Sequence, residues 1–154
     1  MLPNGRRIVR LEFTSAVDML GFVQVVSDHV SRSVGLGEDA LHWVGVAVHE
    51  SVINAIKHGN GNDTSKRVFV EFATAMLEAC ELTISVRDQG AGFDPAALAD
   101  PLAPENLLKS SGRGVFLIRS FMDDVQLQRV PEGGMEIRMT KHVPSGAGAG
   151  SAEN

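Results

Sequence analysis

Two neighbouring runs of β-branched and aromatic residues constrain the fold of this chain more than any other feature. KRVFVEFATAM and CELTISVRD are separated by only the residues LEA. Residues of these types favour strands, and so short a connection joins strands that pair side by side. The sequence therefore predicts a hairpin over 66–88 as part of a β-sheet.

The periodicity before this hairpin predicts one strand and two helices. RRIVRLEF predicts a first strand at 6–13, and apolar residues then recur every three or four positions as far as Ser33. Thr14 or Ser15 can cap this first helix, because a hydroxyl there accepts a hydrogen bond from a free backbone N–H. After the break at SVGLGED, a second helix is predicted to run as far as His58.

The second half of the chain has an irregular stretch, a helix and another hairpin. Prolines and glycines interrupt 88–114, which predicts a long loop, and such loops are usually either functional or disordered. GVFLIRSFMDD predicts a third helix, and DVQLQRV and GGMEIRMTK predict a final hairpin that turns at PEGG. The order of elements predicts an α+β two-layer sandwich, with helices on one face of a largely antiparallel mixed sheet.

Composition restricts the class of protein further. With 154 residues and 44% hydrophobic content, the sequence predicts one domain over 1–143 and a disordered Gly/Ala-rich tail over 144–154. A net charge of -5 without a basic stripe argues against direct nucleic-acid binding. The single Cys80 excludes an internal disulfide, and neither a membrane-spanning apolar run nor a signal sequence is found. We therefore expect a cytoplasmic protein without direct membrane contact.

The second helix combines an apolar stripe with an unusual polar side. Glu50, Asn54 and Lys57 lie at helical spacing on the side opposite to the stripe. They form either a solvated face with weak side-chain pairing, or a half-buried cleft in which a carboxylate accepts a proton and an amide oxygen coordinates Mg²⁺. Large apolar residues on the same side weigh against a purely solvated face. The stripe, which is predicted to face the core, consists of Leu41, Val44, Val48, Val52 and Ala55.

Glycines follow the strand that ends at Asp88. In DQGAGFD, an ordinary turn does not require glycine at both position 90 and position 92. Gly90 and Gly92 allow the backbone to approach a flat or anionic ligand closely, and Asp88 can accept a hydrogen bond from an amine.

A second glycine cluster, SSGRGVFLIRS, opens the third helix. Gly112 and Gly114 lie at a helix start, where free amides and the helix dipole favour phosphate, and Arg113 adds positive charge. Neither cluster matches the GxGxxG of a dinucleotide fold or the GxxxxGK[ST] of a P-loop.

Taken in order, these segments resemble the GHKL ATPases. ESVINAIKHG resembles the N box of that superfamily, DQGAGFD its first glycine box and SSGRGVFLIRSFMDDV its second. The run NAIKHGN, the chain length and the lack of a dimerising phosphoacceptor domain resemble the bacterial anti-sigma factor serine-protein kinases. The resemblance covers roughly 6–142, and three motifs in order are far more specific than one.

The resemblance implies roles for the residues that match its motifs. Asn54 would coordinate Mg²⁺ that bridges the ATP phosphates, and Glu50 would take the proton from a serine or threonine hydroxyl of a protein substrate. Asp88 would accept a hydrogen bond from the adenine amino group. Gly90 and Gly92 would let the chain pass close to the adenine ring.

The second glycine box implies a lid and a phosphate contact. Residues 101–113 would form the lid over the triphosphate, with Gly112, Arg113 and Gly114 near the phosphates. Relatives often carry a threonine beside the glycine of the last hairpin, whereas this chain has GGMEI at 133–137. That difference places a second adenine contact in doubt.

Two polar residues at the end of the second helix receive no firm role. Lys57 has the same helical spacing as the proposed catalytic pair, but no function follows from it. His58, which precedes Gly59, is interpreted as a helix-end or structural histidine.

The partners follow from the resemblance as well. They would be a sigma factor that is held inactive and a STAS-domain anti-anti-sigma protein that is phosphorylated, in a partner-switching arrangement. A homodimer formed through the sheet side is also implied. Two alternatives stay open: a non-catalytic, nucleotide-gated binding module, and the detached ATPase domain of a two-component histidine kinase.

Overall fold

The computed structural model describes residues 5–76, 80–90 and 110–144. Gly92, most of the predicted lid over 101–113 and almost all of the predicted tail over 144–154 lie outside these ranges.

Five strands form one sheet in the order β1-β2-β3-β5-β4. All the pairings between these strands are antiparallel, as expected for a largely antiparallel sheet. The register of β2 and β3 runs from Phe69 opposite Arg87 to Met76 opposite Cys80, which confirms the predicted hairpin. The strands are β1 (Arg6–Thr14), β2 (Arg67–Met76), β3 (Cys80–Arg87), β4 (Asp124–Arg129) and β5 (Met135–Val143).

Three α-helices, α1 (Leu20–Ser33), α2 (Glu38–Asn54) and α3 (Ser110–Phe121), complete the described part of the fold. The order of elements agrees with the predicted order, although the last residues of the predicted loop already belong to α3. A π-helical turn, Ala55–Gly59, extends α2, and a short 3₁₀ turn, Val17–Met19, precedes α1. Within the described ranges, no helix is long and apolar enough to cross a membrane.

The predicted cap of the first helix is wrong. Helix α1 begins at Leu20, and neither it nor the preceding 3₁₀ turn has a side-chain cap. The Ser15 backbone N–H instead donates to the Lys66 carbonyl oxygen at 3.0 Å, and the Ser15 side chain is buried. Ser15 is thus tied to the residue before β2, and the helix starts later than its hydroxyl signal suggests.

The helices pack on one face of the sheet. Alternate residues of the central strands, including Val70, Phe72 and Ile84, are at most 1% exposed and belong to one core cluster with the helices. The residues between them lie on the opposite face, where Phe69 receives the Arg87 guanidinium at 4.2 Å from its ring centroid. This one-sided burial produces the period-two pattern of the strands.

Helix α2 lies at the centre of the helical layer and contacts both α1 and α3. Its apolar stripe is buried in the core, as the sequence predicted. On the other side of α2, Trp43 stacks on Phe121 of α3, with ring centroids 4.2 Å apart and an interplanar angle of 17°. Because α3 covers part of this side, the side is not simply solvated.

Candidate functional site

Glu50 and Asn54 lie on the side of α2 that faces the start of α3. Both side chains are half-buried. A Cβ placed on Gly114 would lie 3.0 Å from Glu50 Oε2 and 3.0 Å from Asn54 Nδ2. The first turn of α3 therefore approaches both polar groups closely because Gly114 has no side chain. The two predicted residues and one predicted glycine thus come together where α2 meets the start of α3.

Lys57 does not join this group and is exposed, as is His58. The α-helical hydrogen-bond pattern ends at Asn54, and the Asn60 N–H donates to the Ala55 carbonyl oxygen at 2.8 Å. A π-helical turn has a wider period than an α-helix, so the spacing that aligned Lys57 with Glu50 no longer applies. The helical wheel assumes an α-helical period, so it does not fix the direction of Lys57.

Asp88 forms a second polar site at the end of β3. Asp88 is buried, with only 6% of the residue exposed. The carboxylate Oδ1 accepts hydrogen bonds from the Gly90 N–H at 3.0 Å and from the Met135 N–H at 3.1 Å. No donor within the described ranges reaches Oδ2. One oxygen is thus fixed by the backbone, and the other lies against Gly59.

Three glycines enclose Asp88. A Cβ on Gly59 would overlap Oδ2 of Asp88, a Cβ on Gly90 would overlap the Gly59 carbonyl oxygen, and a Cβ on Gly134 would overlap the Asp88 carbonyl oxygen. The sequence indicated Gly90 as a position where the backbone approaches a ligand, and the structure places it against the Gly59 backbone. Gly59 and Gly134 were missed, because one was interpreted as a helix stop and the other as part of the PEGG turn. The signal available in the sequence was that Gly59 ends the segment resembling the N box and that Gly134 lies in the predicted turn of the last hairpin.

Burial raises the pKa of the Asp88 carboxyl above its ordinary value of 3.8. The hydrogen bonds from the Gly90 and Met135 backbone act in the opposite direction, because they stabilise the charged form. Desolvation is the larger effect. A carboxylate in so dry a position gains more from a hydrogen-bond donor on a ligand than an exposed one would.

The turn between β4 and β5, which carries GGMEI at 133–137, contributes to the Asp88 site. Gly134 has φ of 97° and turns the chain so that the Met135 backbone N–H reaches Asp88. The Met135 carbonyl oxygen also accepts from the Asp88 N–H at 3.0 Å. Position 135 therefore positions the carboxylate through its backbone, while its side chain is buried in the protein.

The remaining glycine-box residues lie among the first five residues of α3. Gly112, Arg113 and Gly114 follow its first residue, Ser110, closely. Backbone N–H groups of a first helical turn have no partner within the helix and favour anionic groups. This turn adjoins Glu50 and Asn54 through Gly114.

A cavity of about 480 Å³ runs between α1 and α2 and reaches Glu50. Gly45 brings the two helices close, and its carbonyl oxygen accepts from Gln24 Nε2 at 3.3 Å. The cavity gives Glu50 an approach from outside the α2–α3 contact. Its lining residues are Gln24, Asp28, Glu38, Leu41, His42, Gly45, Val46, His49 and Glu50.

The donors near Gly114 suit a hard cation that is shared with a ligand. Within the described residues, no group of three His, Cys, Asp or Glu side chains could hold a metal alone. The Asn54 amide oxygen and the Glu50 carboxylate are oxygen donors of the kind that Mg²⁺ prefers, and Mg²⁺ commonly takes few protein ligands beside phosphate oxygens. The residues present therefore fit a magnesium ion bound together with a phosphate ligand.

The fold and the arrangement of these residues prompt a comparison with the class of histidine kinase-like ATPase domains. The model of that family, described as a histidine kinase-like ATPase domain, matches residues 13–141. The chain belongs to this family, and within it to the anti-sigma factor and serine-protein kinase type.

The similar curated proteins cover nearly the whole chain. An anti-sigma F factor of Oceanobacillus iheyensis is 32% identical over 86% of this chain and 90% of its own length. The anti-sigma F factor of Bacillus subtilis is 32% identical over 88% of this chain and 92% of its own. Serine-protein kinase RsbW of Staphylococcus epidermidis is 26% identical over 92% of this chain and 91% of its own.

A solved structure supports the fold independently. The RsbU and RsbW domains of a Mycobacterium tuberculosis protein superpose with a TM-score of 0.61 at 15% identity. The match covers 90% of this chain and 34% of that longer one. At this identity, the likeness bears on the fold alone.

Proposed function

We propose that this chain is an ATP-dependent serine/threonine protein kinase that acts as an anti-sigma factor in the cytoplasm. It phosphorylates a STAS-domain anti-anti-sigma protein and sequesters a sigma factor. The observation that carries the proposal is the convergence of Glu50 and Asn54 on the first turn of α3 at Gly114. Relatives that cover nearly the whole chain and are named anti-sigma factor or serine-protein kinase support it.

Asp88 selects the nucleobase. Its Oδ1 is occupied by backbone donors, so Oδ2 accepts from the adenine amino group. Gly59, Gly90 and Gly134 allow the backbone to pack directly against Asp88 and its neighbours. Gly90 and Gly92 would let the chain pass close to the adenine ring. An ionised carboxylate is an acceptor only, which favours adenine over a base that presents an acceptor at the same position.

The phosphates lie at the first turn of α3. The free N–H group at Gly112 and the charge of Arg113 would neutralise them, and Gly114 would keep this end of α3 close to Asn54. Asn54 would hold Mg²⁺ through its amide oxygen, and the ion when bound would supply charge neutralisation on the phosphate oxygens. The residues of this chain mainly position the reactants and stabilise charge, which is most of what phosphoryl transfer requires.

Glu50 accepts the proton of the substrate hydroxyl. Its carboxylate lies beside Asn54 near Gly114 and also lines the cavity between α1 and α2. A serine or threonine of a protein substrate that enters from this cavity can donate its proton to Glu50 while its oxygen attacks the terminal phosphorus. The bond from that phosphorus to the bridging oxygen breaks, and ADP leaves.

The protein acts as a homodimer through the sheet side. The support is that the described helices cover one face of the sheet, whereas the other carries side chains such as Arg10 and Glu71, paired at 2.7 Å. At the edge of the sheet, Ile8 and Val9 are each 39% exposed. Light scattering over a concentration series tests this part, and a monomer at all concentrations would contradict it.

The decisive experiment measures transfer of labelled phosphate from ATP to a cognate STAS-domain protein. Glu50→Gln should lose at least about a hundredfold in transfer rate while it still binds ATP, because the base is lost but the nucleotide contacts remain. Asp39→Asn is the matched control, since Asp39 is an exposed carboxylate on the same helix and does not line the cavity. Undiminished transfer by folded Glu50→Gln would remove Glu50 as the base.

The same assay separates the proposal from a non-catalytic regulator. Tight ATP binding without transfer to any STAS protein, together with stable association with a partner, would favour a nucleotide-gated binding module. A sigma factor recovered from native extract in one nucleotide state and a STAS protein in the other would support partner switching.

A further inference from the structure

A closed ring of hydrogen bonds joins three segments next to Asp88. The Asn60 Nδ2 donates to the Arg67 carbonyl oxygen at 3.0 Å, and the Gln89 N–H donates to Asn60 Oδ1 at 2.8 Å. The Arg67 N–H completes the ring by donating to Gln89 Oε1 at 2.8 Å. The ring ties the turn after α2 and the start of β2 to the segment that follows β3.

The central residue of the ring is buried. Asn60 is 3% exposed, and its side-chain oxygen and nitrogen both have partners. A buried amide with both groups satisfied fixes geometry strongly, because any displacement leaves polar atoms unpaired. No motif in the sequence indicated such a role for Asn60.

The ring lies directly beside the proposed base-recognition site. Asn60 follows Gly59, whose Cα approaches Asp88 Oδ2, and Gln89 follows Asp88 itself. The Asn60–Gln89 hydrogen bond therefore fixes the peptide that carries Asp88 relative to the Gly59 turn. Within the described segments 55–63 and 88–90, it is the only hydrogen bond from a side chain of one segment to the other, and the packing of Asp88 against Gly59 remains without it.

We propose that Asn60 is a positioning residue for nucleobase recognition, which holds Asp88 in place through the Gln89 backbone and thereby sets the preference for adenine over guanine. The inference rests on the proposed role of Asp88 and extends it. Asn60 does not itself touch the nucleotide. Its effect appears in the ratio of two affinities, which a merely structural residue would leave unchanged.

The test compares ATP and GTP affinities by calorimetry in the presence of Mg²⁺. We expect Asn60→Ala to reduce the ATP-to-GTP affinity ratio by about tenfold, the effect of about one lost hydrogen bond on a discriminating group. Gln89→Ala should change the ratio by less than about threefold, because the backbone N–H that donates to Asn60 remains. Val23→Ala, a core change on α1 at a residue with 0% exposure, should lower the melting temperature without changing the ratio.

A second variant decides the matter if Asn60→Ala does not fold. Asn60→Asp keeps an acceptor for the Gln89 N–H and loses the donor to the Arg67 carbonyl oxygen, so its ratio should fall by about threefold. An unchanged ratio in every folded Asn60 variant would overturn the positioning role alone. A wild type that binds ATP and GTP equally would instead overturn the Asp88 assignment, and the role of Asn60 with it.

Discussion

The backbone of Gly59 lies against the carboxylate of Asp88, so closely that a methyl group on Gly59 would overlap Oδ2. These residues come from different parts of the chain, the π-helical turn after α2 and the end of β3. The contact packs the Asp88 carboxylate tightly among the backbones of Gly59, Gly90 and Gly134. The segments that meet at Asp88 therefore limit which substitutions the protein tolerates at these glycines.

Gly59→Ala is therefore expected to destabilise the fold and abolish ATP binding. Overpacking at a tight contact costs about 1–3 kcal/mol, and here the added methyl also displaces Oδ2. Chemical denaturation gives the stability and calorimetry gives the affinity. Gly21→Ala is the control, since a Cβ at this helical position meets nothing within 4 Å. It should stabilise α1 by about 0.5–1 kcal/mol. Normal ATP affinity in Gly59→Ala would contradict the proposed role of Asp88.

Gly114→Ala should have a larger effect on the activation free energy of phosphate transfer than on the free energy of unfolding. Its Cβ would lie 3.0 Å from both Glu50 Oε2 and Asn54 Nδ2, a distance at which these side chains must shift by a few tenths of an ångström. We expect a loss of at least about tenfold in transfer rate, because small displacements of positioned groups are costly in catalysis. An unchanged rate in single-turnover measurements would mean that the α2–α3 contact does not position the reacting groups.

Asp88→Asn should keep the fold and lose ATP affinity by at least about a hundredfold. The amide oxygen can still accept from the Gly90 and Met135 N–H groups, so the amide nitrogen then occupies the place of Oδ2. There it presents a donor to the adenine amino group, which is itself a donor. Calorimetry that found the wild-type affinity would refute the adenine assignment.

The raised pKa of Asp88 predicts opposite pH dependences for stability and for binding. Because the folded state holds this proton more tightly than the unfolded state, the contribution to stability is complete below the ordinary pKa of 3.8. It is lost as the pH rises from there through the raised pKa. The free energy of unfolding of the wild type, measured relative to Asp88→Asn by chemical denaturation, should therefore fall over this interval.

ATP affinity should change in the other direction, since the ionised carboxylate is the better acceptor. It should weaken on acidification at a pH above 3.8, earlier than for an ordinary aspartate. A stability difference that is flat with pH, or binding that weakens only below that value, would contradict the burial argument.

The local signals in the sequence were sufficient for the elements of the fold. The two β-rich runs formed the predicted hairpin, and the stripe of α2 was buried as its period indicated. The cap predicted at Thr14 or Ser15 was wrong, and the Ser15 N–H is instead paired with the carbonyl oxygen of Lys66, distant in sequence. A helical wheel does not fix the direction of Lys57, because the π-helical turn changes the helical period after Asn54.

The sequence by itself determined the layers, the order of the elements and the chemical types of the candidate site residues, because these follow from local periodicity and from residue chemistry. Only the tertiary structure decided that Gly59 and Gly134 enclose Asp88, that Gly114 lies over Glu50 and that Asn60 ties Gln89 in place. These contacts join segments far apart in the chain. Their geometry depends on how helices and sheet pack, and no local pattern encodes that distance.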